Sequence, residues 1–161
     1  MAALNLRASN LIYPGFLYSG SVALTFDNGI FTDILSLYNP VGSGKTAYII
    51  AATFSARADG STRNMTLNFS RGVRTLAGTV VTPSKLDTTT PANATELNYG
   101  GTWIIGSLIE SRTMSAPTDS LDIGIVSPII LHQGEGVLFY TQSESGGQTL
   151  IPSASIVWYE V

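Results

Sequence analysis

The apolar positions of this chain recur with the period of a strand. No window sets apolar residues three and four apart with charges on the opposite face, as an amphipathic helix would require. Instead, short runs rich in Val, Ile, Thr, Tyr and Phe are separated by turn clusters. The pattern predicts strands at 21–26, 33–38, 46–56, 64–70, 75–82, 102–110, 124–131, 137–142 and 153–161. Between them stand "DNG" (27–29), "NPVGSG" (39–44), "ADGS" (58–61), "RG" (71–72), "HQGEG" (132–136) and "SESGGQ" (143–148). Asn-Gly and Asp-Gly reach positive φ at low steric cost, which tight β-turns need.

Two polar stretches interrupt the alternation and are expected to be long surface loops, near 82–101 and 111–122. Residues 1–15 form a separate case. Pro14 and Gly15 break the chain, yet Leu4, Leu6, Leu11, Ile12 and Tyr13 before them are apolar, which is unusual for a solvated tail. The segment reads as an N-terminal arm that binds a neighbour as an added strand, or as the first edge strand of its own sheet. Residues 16–161 read as one domain. Many short strands and no helices predict an all-β, antiparallel β-sandwich, jelly-roll-like in architecture.

Charge narrows the choice of partners. Only 12% of the 161 residues are charged, about half the usual share, and the net charge is −3. Six arginines and two lysines are scattered, so no basic patch is expected to neutralise nucleic-acid phosphates. No apolar run has membrane-spanning length, and the first residues lack the basic head and apolar stretch of a signal peptide. A surface this poor in charge suits a chain partly covered by other protein, and predicts self-association. The absence of cysteine removes disulfides and thiolate metal sites.

One stretch imitates a nucleotide-binding loop. In "YNPVGSGKTAYII" (38–50), Gly44, Lys45 and Thr46 match the end of G-x-x-x-x-G-K-[ST]. Position 39, where the first glycine belongs, is Asn39, followed by Pro40. The motif also needs a helix after the lysine, whose N-terminal N–H groups hold the phosphates. Here "AYIIAATFSA" follows, with strand composition. The expected structure is a loop between two antiparallel strands, with Pro40 ending the first and Lys45 keeping the loop end solvated.

Three segments resemble structural proteins of tailed bacteriophages. "LSLYNPVGSGKTAYI" resembles a strand ending in Asn-Pro-x-Gly-Ser-Gly-Lys with a second strand after it. "SPIILHQGEGVLFY" (127–140) is similar to a Pro-led apolar strand running into a Gly-Glu-Gly turn, and "SIVWYEV" (155–161) to a closing strand with Trp. The first 35 residues and the two polar stretches carry none of this likeness. The resemblance implies a virion subunit assembled in the host cytoplasm: a head decoration (cement) protein, most simply a homotrimer on the major capsid protein or another virion protein. The alternative is a receptor- or glycan-binding module of a tail or head fibre.

Catalytic chemistry is sparse. His132 is the single histidine and sits in a turn sequence, without a G-x-S-x-G elbow elsewhere. One histidine and no cysteine do not make a zinc site. "DGSTRN" (59–64) supplies one carboxylate to a would-be calcium loop, and Asp119 and Asp122 would have to find others in space. A glycosidase needs two facing carboxylates, and no spacing singles out a pair among eleven acids. The sequons at Asn64, Asn68 and Asn93 carry no weight without a signal peptide. No enzyme activity, cofactor or metal is expected. Trp103 and Trp158 lie in strand patterns and suit core or interface packing. Should the chain bind a glycan, Tyr99 and Trp103, which flank the loop end "NYGGT", are the residues to stack on it.

Overall fold

Alternation within single strands settles which face each presents. In β4 (Ala47–Asp59), Ala52, Phe54 and Ala56 are buried while Ala51, Thr53, Ser55 and Arg57 are exposed, the period-2 pattern of a half-buried strand. A computed structural model describes residues 16–24, 26–27, 32–59, 65–86, 92–114, 118–123, 127–143 and 149–161. The elements before β4 are β1 (Phe16–Ala23), β2 (Phe26–Asp27) and β3 (Thr32–Tyr38). After it come β5 (Met65–Leu76), β6 (Thr79–Val80), β7 (Ser84–Lys85), β8 (Glu96–Tyr99) and β9 (Thr102–Met114). The chain continues with β10 (Thr118–Ile123), β11 (Ile129–Leu131), β12 (Gly136–Ser143) and β13 (Thr149–Glu160). The described residues contain no helix.

Two antiparallel sheets result. The first has the order β10-β4-β13-β1-β7, with β11 also on β4 and β2 also on β13; the second is β6-β8-β3-β12-β5-β9. The pairing is nested: β1 with β13, β3 with β12, β4 with β10 and β11, β5 with β9. A long hairpin wrapped around itself pairs its strands in this way, which is the jelly roll. The expected all-β, jelly-roll sandwich is therefore what the chain forms.

The core lies between the sheets. Phe139 of β12 packs on Phe69 of β5, centroids 4.4 Å apart, and on Phe54 of the opposite sheet at 5.1 Å. Trp158 and Tyr18, in register on β13 and β1, stack at 5.6 Å and extend this core sideways.

Several boundaries differ from the sequence pattern. β5 runs straight through Arg71-Gly72, which read as a turn. Gly72 is there because it is overlain: a Cβ would stand 3.0 Å from the Ile104 carbonyl and 3.2 Å from the Trp103 ring. The expected loop near 82–101 holds β7 and β8, whose Glu96–Tyr99 pairs with β3. The expected loop near 111–122 is mostly the end of β9 and β10, polar because both are edge strands. Residues 1–15, including Leu4, Leu6, Leu11, Ile12 and Tyr13, lie outside the described residues.

Candidate functional site

The glycine-rich loop between β3 and β4 is organised around Asn39, which is fully buried. Its Nδ2 donates to the Lys45 carbonyl (2.9 Å) and the Leu131 carbonyl (3.0 Å), and its Oδ1 accepts from the Ser43 hydroxyl (2.7 Å). The Asn39 carbonyl accepts from Gly134 N–H at 2.7 Å, tying the loop to the turn before β12. Gly42 and Gly44 take positive φ (86° and 69°), which side-chain-bearing residues seldom adopt. The loop does not join two paired strands, as the sequence suggested. β3 and β4 belong to different sheets, so this is a corner that carries the chain across the sandwich. A strand follows Lys45, and the Asn39 amide, the Ser43 hydroxyl and the Lys45 N–H are engaged in holding the loop's own fold. Asn39→Ala should therefore cost about 2–3 kcal/mol by orphaning two carbonyls and a hydroxyl. Lys45→Ala should change stability by less than about 0.5 kcal/mol. Thermal or denaturant unfolding of the two variants checks the contrast.

A second polar cluster lies on the outer face of the β3–β12–β5 sheet. Because Val137 and Phe139 point inward, Gly136 and Leu138 point outward, level with Tyr38 and Ser36 on β3 and with Gly72 and Ser70 on β5. Only Gly100 and Gly101 separate β8 from β9, although β3, β12 and β5 lie between those strands in the sheet. Two residues cannot bridge four strand spacings of about 4.8 Å side by side. The chain instead folds over the outer face, and Asp33 holds it there. Asp33 Oδ2 accepts from Gly101 N–H (3.1 Å), Trp103 Nε1–H (3.0 Å) and the Ser36 hydroxyl (3.0 Å). Trp103 lies over Gly136 and Gly72 and meets Tyr38 edge-on, with centroids 6.2 Å apart. Arg74 sits 4.1 Å above the Tyr38 ring and pairs with Glu96 at 2.6 Å. Burial pushes the Asp33 carboxyl up to about 6, against the opposing pull of its three donors and of Arg74.

Gly136 makes the seat for this tryptophan. A Cβ there would stand 2.6 Å from the Trp103 ring and 3.0 Å from the Leu37 carbonyl. Gly136→Ala should destabilise by about 1–3 kcal/mol. It should also shift Trp103 emission to the red as the ring is lifted toward water. A Trp158→Phe background isolates that signal.

A second buried acid, Glu160, lies at the end of β13 in the other sheet. It accepts from the N–H groups of Ala94 (2.8 Å) and Thr95 (3.0 Å), the Thr95 hydroxyl (2.6 Å) and Trp158 Nε1–H (3.3 Å).

The residues singled out from sequence are thus scattered. Trp103 is only 7% exposed, so a sugar has no ring face to stack on in this arrangement, and Tyr99 beside it is half-buried. His132 is exposed in its turn, with its backbone N–H on Glu135 Oε2 at 2.8 Å. Asp119 and Asp122 lie on β10, for which only the backbone is described. Among the described residues, no group of three His, Cys, Asp or Glu side chains gathers where a metal could sit.

What the sequence reading missed is the surface of β9. This strand forms an edge of its sheet, and among the described residues no strand pairs along its outer side. Ile104 (63% exposed) and Leu108 (56%) stand on it, with Val73 (54%) paired to Ile104 on β5. A shallow pocket of about 310 Å³ adjoins them, lined in part by Arg71, Gly72, Gly106 and Glu135. The signal was present in "TWIIGSLIE": two bulky apolar pairs around a Gly-Ser, with no alternation to say which face is covered.

No known protein family matches this chain, and no curated protein does. Among solved structures it is similar to a chain of the disulfide-linked pili of Bacillus endospore appendages, at 9% identity over 92% of each chain with a TM-score of 0.35. It also aligns with a chain of the infectious bursal disease virus Gt strain, at 9% identity and a TM-score of 0.23. That alignment takes in 100% of this chain and 47% of the viral one, so this chain spans about half its length.

Proposed function

We propose that this chain is a non-enzymatic structural protein of a tailed-phage virion, a decoration (cement) subunit that binds the head shell as a homotrimer. The observation that carries the reading is the long apolar edge of β9 on a jelly roll whose main buried polar clusters serve the fold. Asp33, Asn39 and Glu160 each hold distant segments of the fold together through short hydrogen bonds. The apolar groups left at the surface are those an assembling subunit uses.

The mechanism is a clamp. A rigid sandwich that bridges neighbouring shell subunits adds buried interface, each contact of standard size removing ~1,600 Å² from water. Repetition around a shell multiplies a modest gain per contact. The segments that resemble tailed-phage proteins support the virion assignment. The glycan-binding alternative gains no support from Trp103, whose ring is covered.

Antibodies raised against the purified chain test the reading on particles of the phage that encodes it. Regular labelling over the head is expected. Labelling confined to the tail, or absent from particles, overturns it.

A further inference from the structure

Among the described residues, the sheet edges are not alike. β6 and β7, each two residues long, end the two sheets on one side. β10 is six residues long and carries Asp119 and Asp122. Short strands, charges and bulges are among the devices by which natural sheets prevent edge-to-edge pairing. β9 is neither short nor charged along most of its length: it has thirteen residues, and from Thr102 to Ile109 there is no charge and no proline, although its pairing with β5 shifts register within this stretch. An edge of that kind is a template for another strand.

We propose that the N-terminal arm of a second copy of this chain adds to β9 as an antiparallel or parallel edge strand, covering Ile104 and Leu108. The proposal rests on the reading of the chain as an assembling subunit, and names how it assembles. Fifteen residues precede β1. Within them Leu4 and Leu6 are two apart, as are Leu11 and Tyr13, the spacing that puts side chains on one face of a strand. From Leu4 to Tyr13 an extended chain covers about 33 Å, enough to follow the uncharged part of β9 at about 27 Å. The arm's one charged side chain is Arg7, and the first charge met along β9 is the acid Glu110.

Geometry selects a second copy over the chain's own arm. If the added strand ends at Tyr13, only Pro14 and Gly15 connect it to Phe16 at the start of β1. The step from residue 13 to residue 16 spans at most about 11 Å. In the first sheet β1 is separated from β10 by β13 and β4, and it is β10 that approaches β9. Three strand spacings amount to about 14 Å before the gap between the sheets, about 10 Å, is added. An arm paired through Tyr13 therefore cannot lie along its own β9 but can leave the root for a neighbour. An arm given to one neighbour and an edge offered to another make a head-to-tail contact, which closes into a ring when the rotation permits.

The absence of cysteine allows a clean test with purified protein and no phage particle. Chains bearing one substitution in the arm (Leu4→Cys, Leu6→Cys, Leu11→Cys or Tyr13→Cys) are mixed with chains bearing Ile104→Cys or Leu108→Cys and oxidised. The expected result is a disulfide between the two kinds of chain, for at least one arm position, in more than half of the molecules. It should disappear when the companion edge residue is changed to lysine. Doubly substituted chains that close the disulfide within a monomer at high dilution would overturn the proposal, as would no cross-link at any pairing in chains that remain folded. Cross-linking together with unlabelled particles would retire the virion assignment and leave the arm exchange standing.

Discussion

Phe139→Ala should remove about 3–5 kcal/mol of folding free energy, among the largest losses expected of a single truncation. Phe139 is fully buried on β12, the middle strand of its sheet, and its ring touches Phe69 beside it and Phe54 across the sandwich. Truncation leaves a cavity where, among the described residues, the two sheets meet through aromatic rings. Neighbours on β3 and β5 are fixed by pairing on both sides of β12 and cannot collapse inward to fill it. A domain of this size has only about 5–15 kcal/mol in total. Urea unfolding at 25 °C should show a midpoint far below the parent's at similar slope. A loss under about 1.5 kcal/mol would mean that the sheets are not joined by this triad.

The second large effect is one of pH. The Asp33 carboxyl, raised to about 6 from an ordinary 3.8, binds its proton more tightly in the folded chain than in the unfolded one. Its contribution is therefore fully present below about pH 4 and is lost as pH rises through about 6. At about 1.4 kcal/mol per unit, the loss amounts to some 2–3 kcal/mol between pH 4 and 7.5. The charged group acting on it is Arg74 on β5, which itself pairs with Glu96 on β8. Asp33→Asn keeps an oxygen for the Gly101 and Trp103 N–H groups and cannot ionise. Relative to the parent, the variant should gain stability steadily across that pH range. Asp33→Ala, which strands all three donors, should be less stable at every pH. A parent-to-asparagine difference that does not move with pH would contradict the burial of this carboxyl.

Strand existence was legible because alternation is local: β3, β4, β12 and β13 announce themselves in runs such as "TDILSLY" and "SASIVWYE". The nested pairing was legible only as a class, since nothing in a run of Val and Ile says which strand it will meet. Gly72 and Gly136 misled or stayed silent for one reason. A glycine in a strand looks like a turn until the residue lying over it, Trp103, is known. Asp33 gave no signal either, because its donors at 101 and 103 are about 70 positions away and converge only when the chain folds over the sheet. The Asn39 loop shows the opposite case. The sequence sufficed to reject a phosphate cradle, but the partner of Asn39 at Leu131 lies 92 residues on and fixes the loop as a corner between sheets.

The edge at β9 was hidden for a different reason. Its apolar residues look like core in the sequence, and only the finished sheet order shows that, among the described residues, no strand follows. That order is what turns low charge from a compositional oddity into a candidate contact surface.

Sedimentation velocity of the full chain at 1–100 μM and neutral pH tests most directly whether this protein works by association. A single species at three times the chain mass is expected, reverting to monomer on removal of residues 1–12 or on Ile104→Lys with Leu108→Lys, with the folded domain retained. A monomer across the whole range for the unaltered chain would contradict the account.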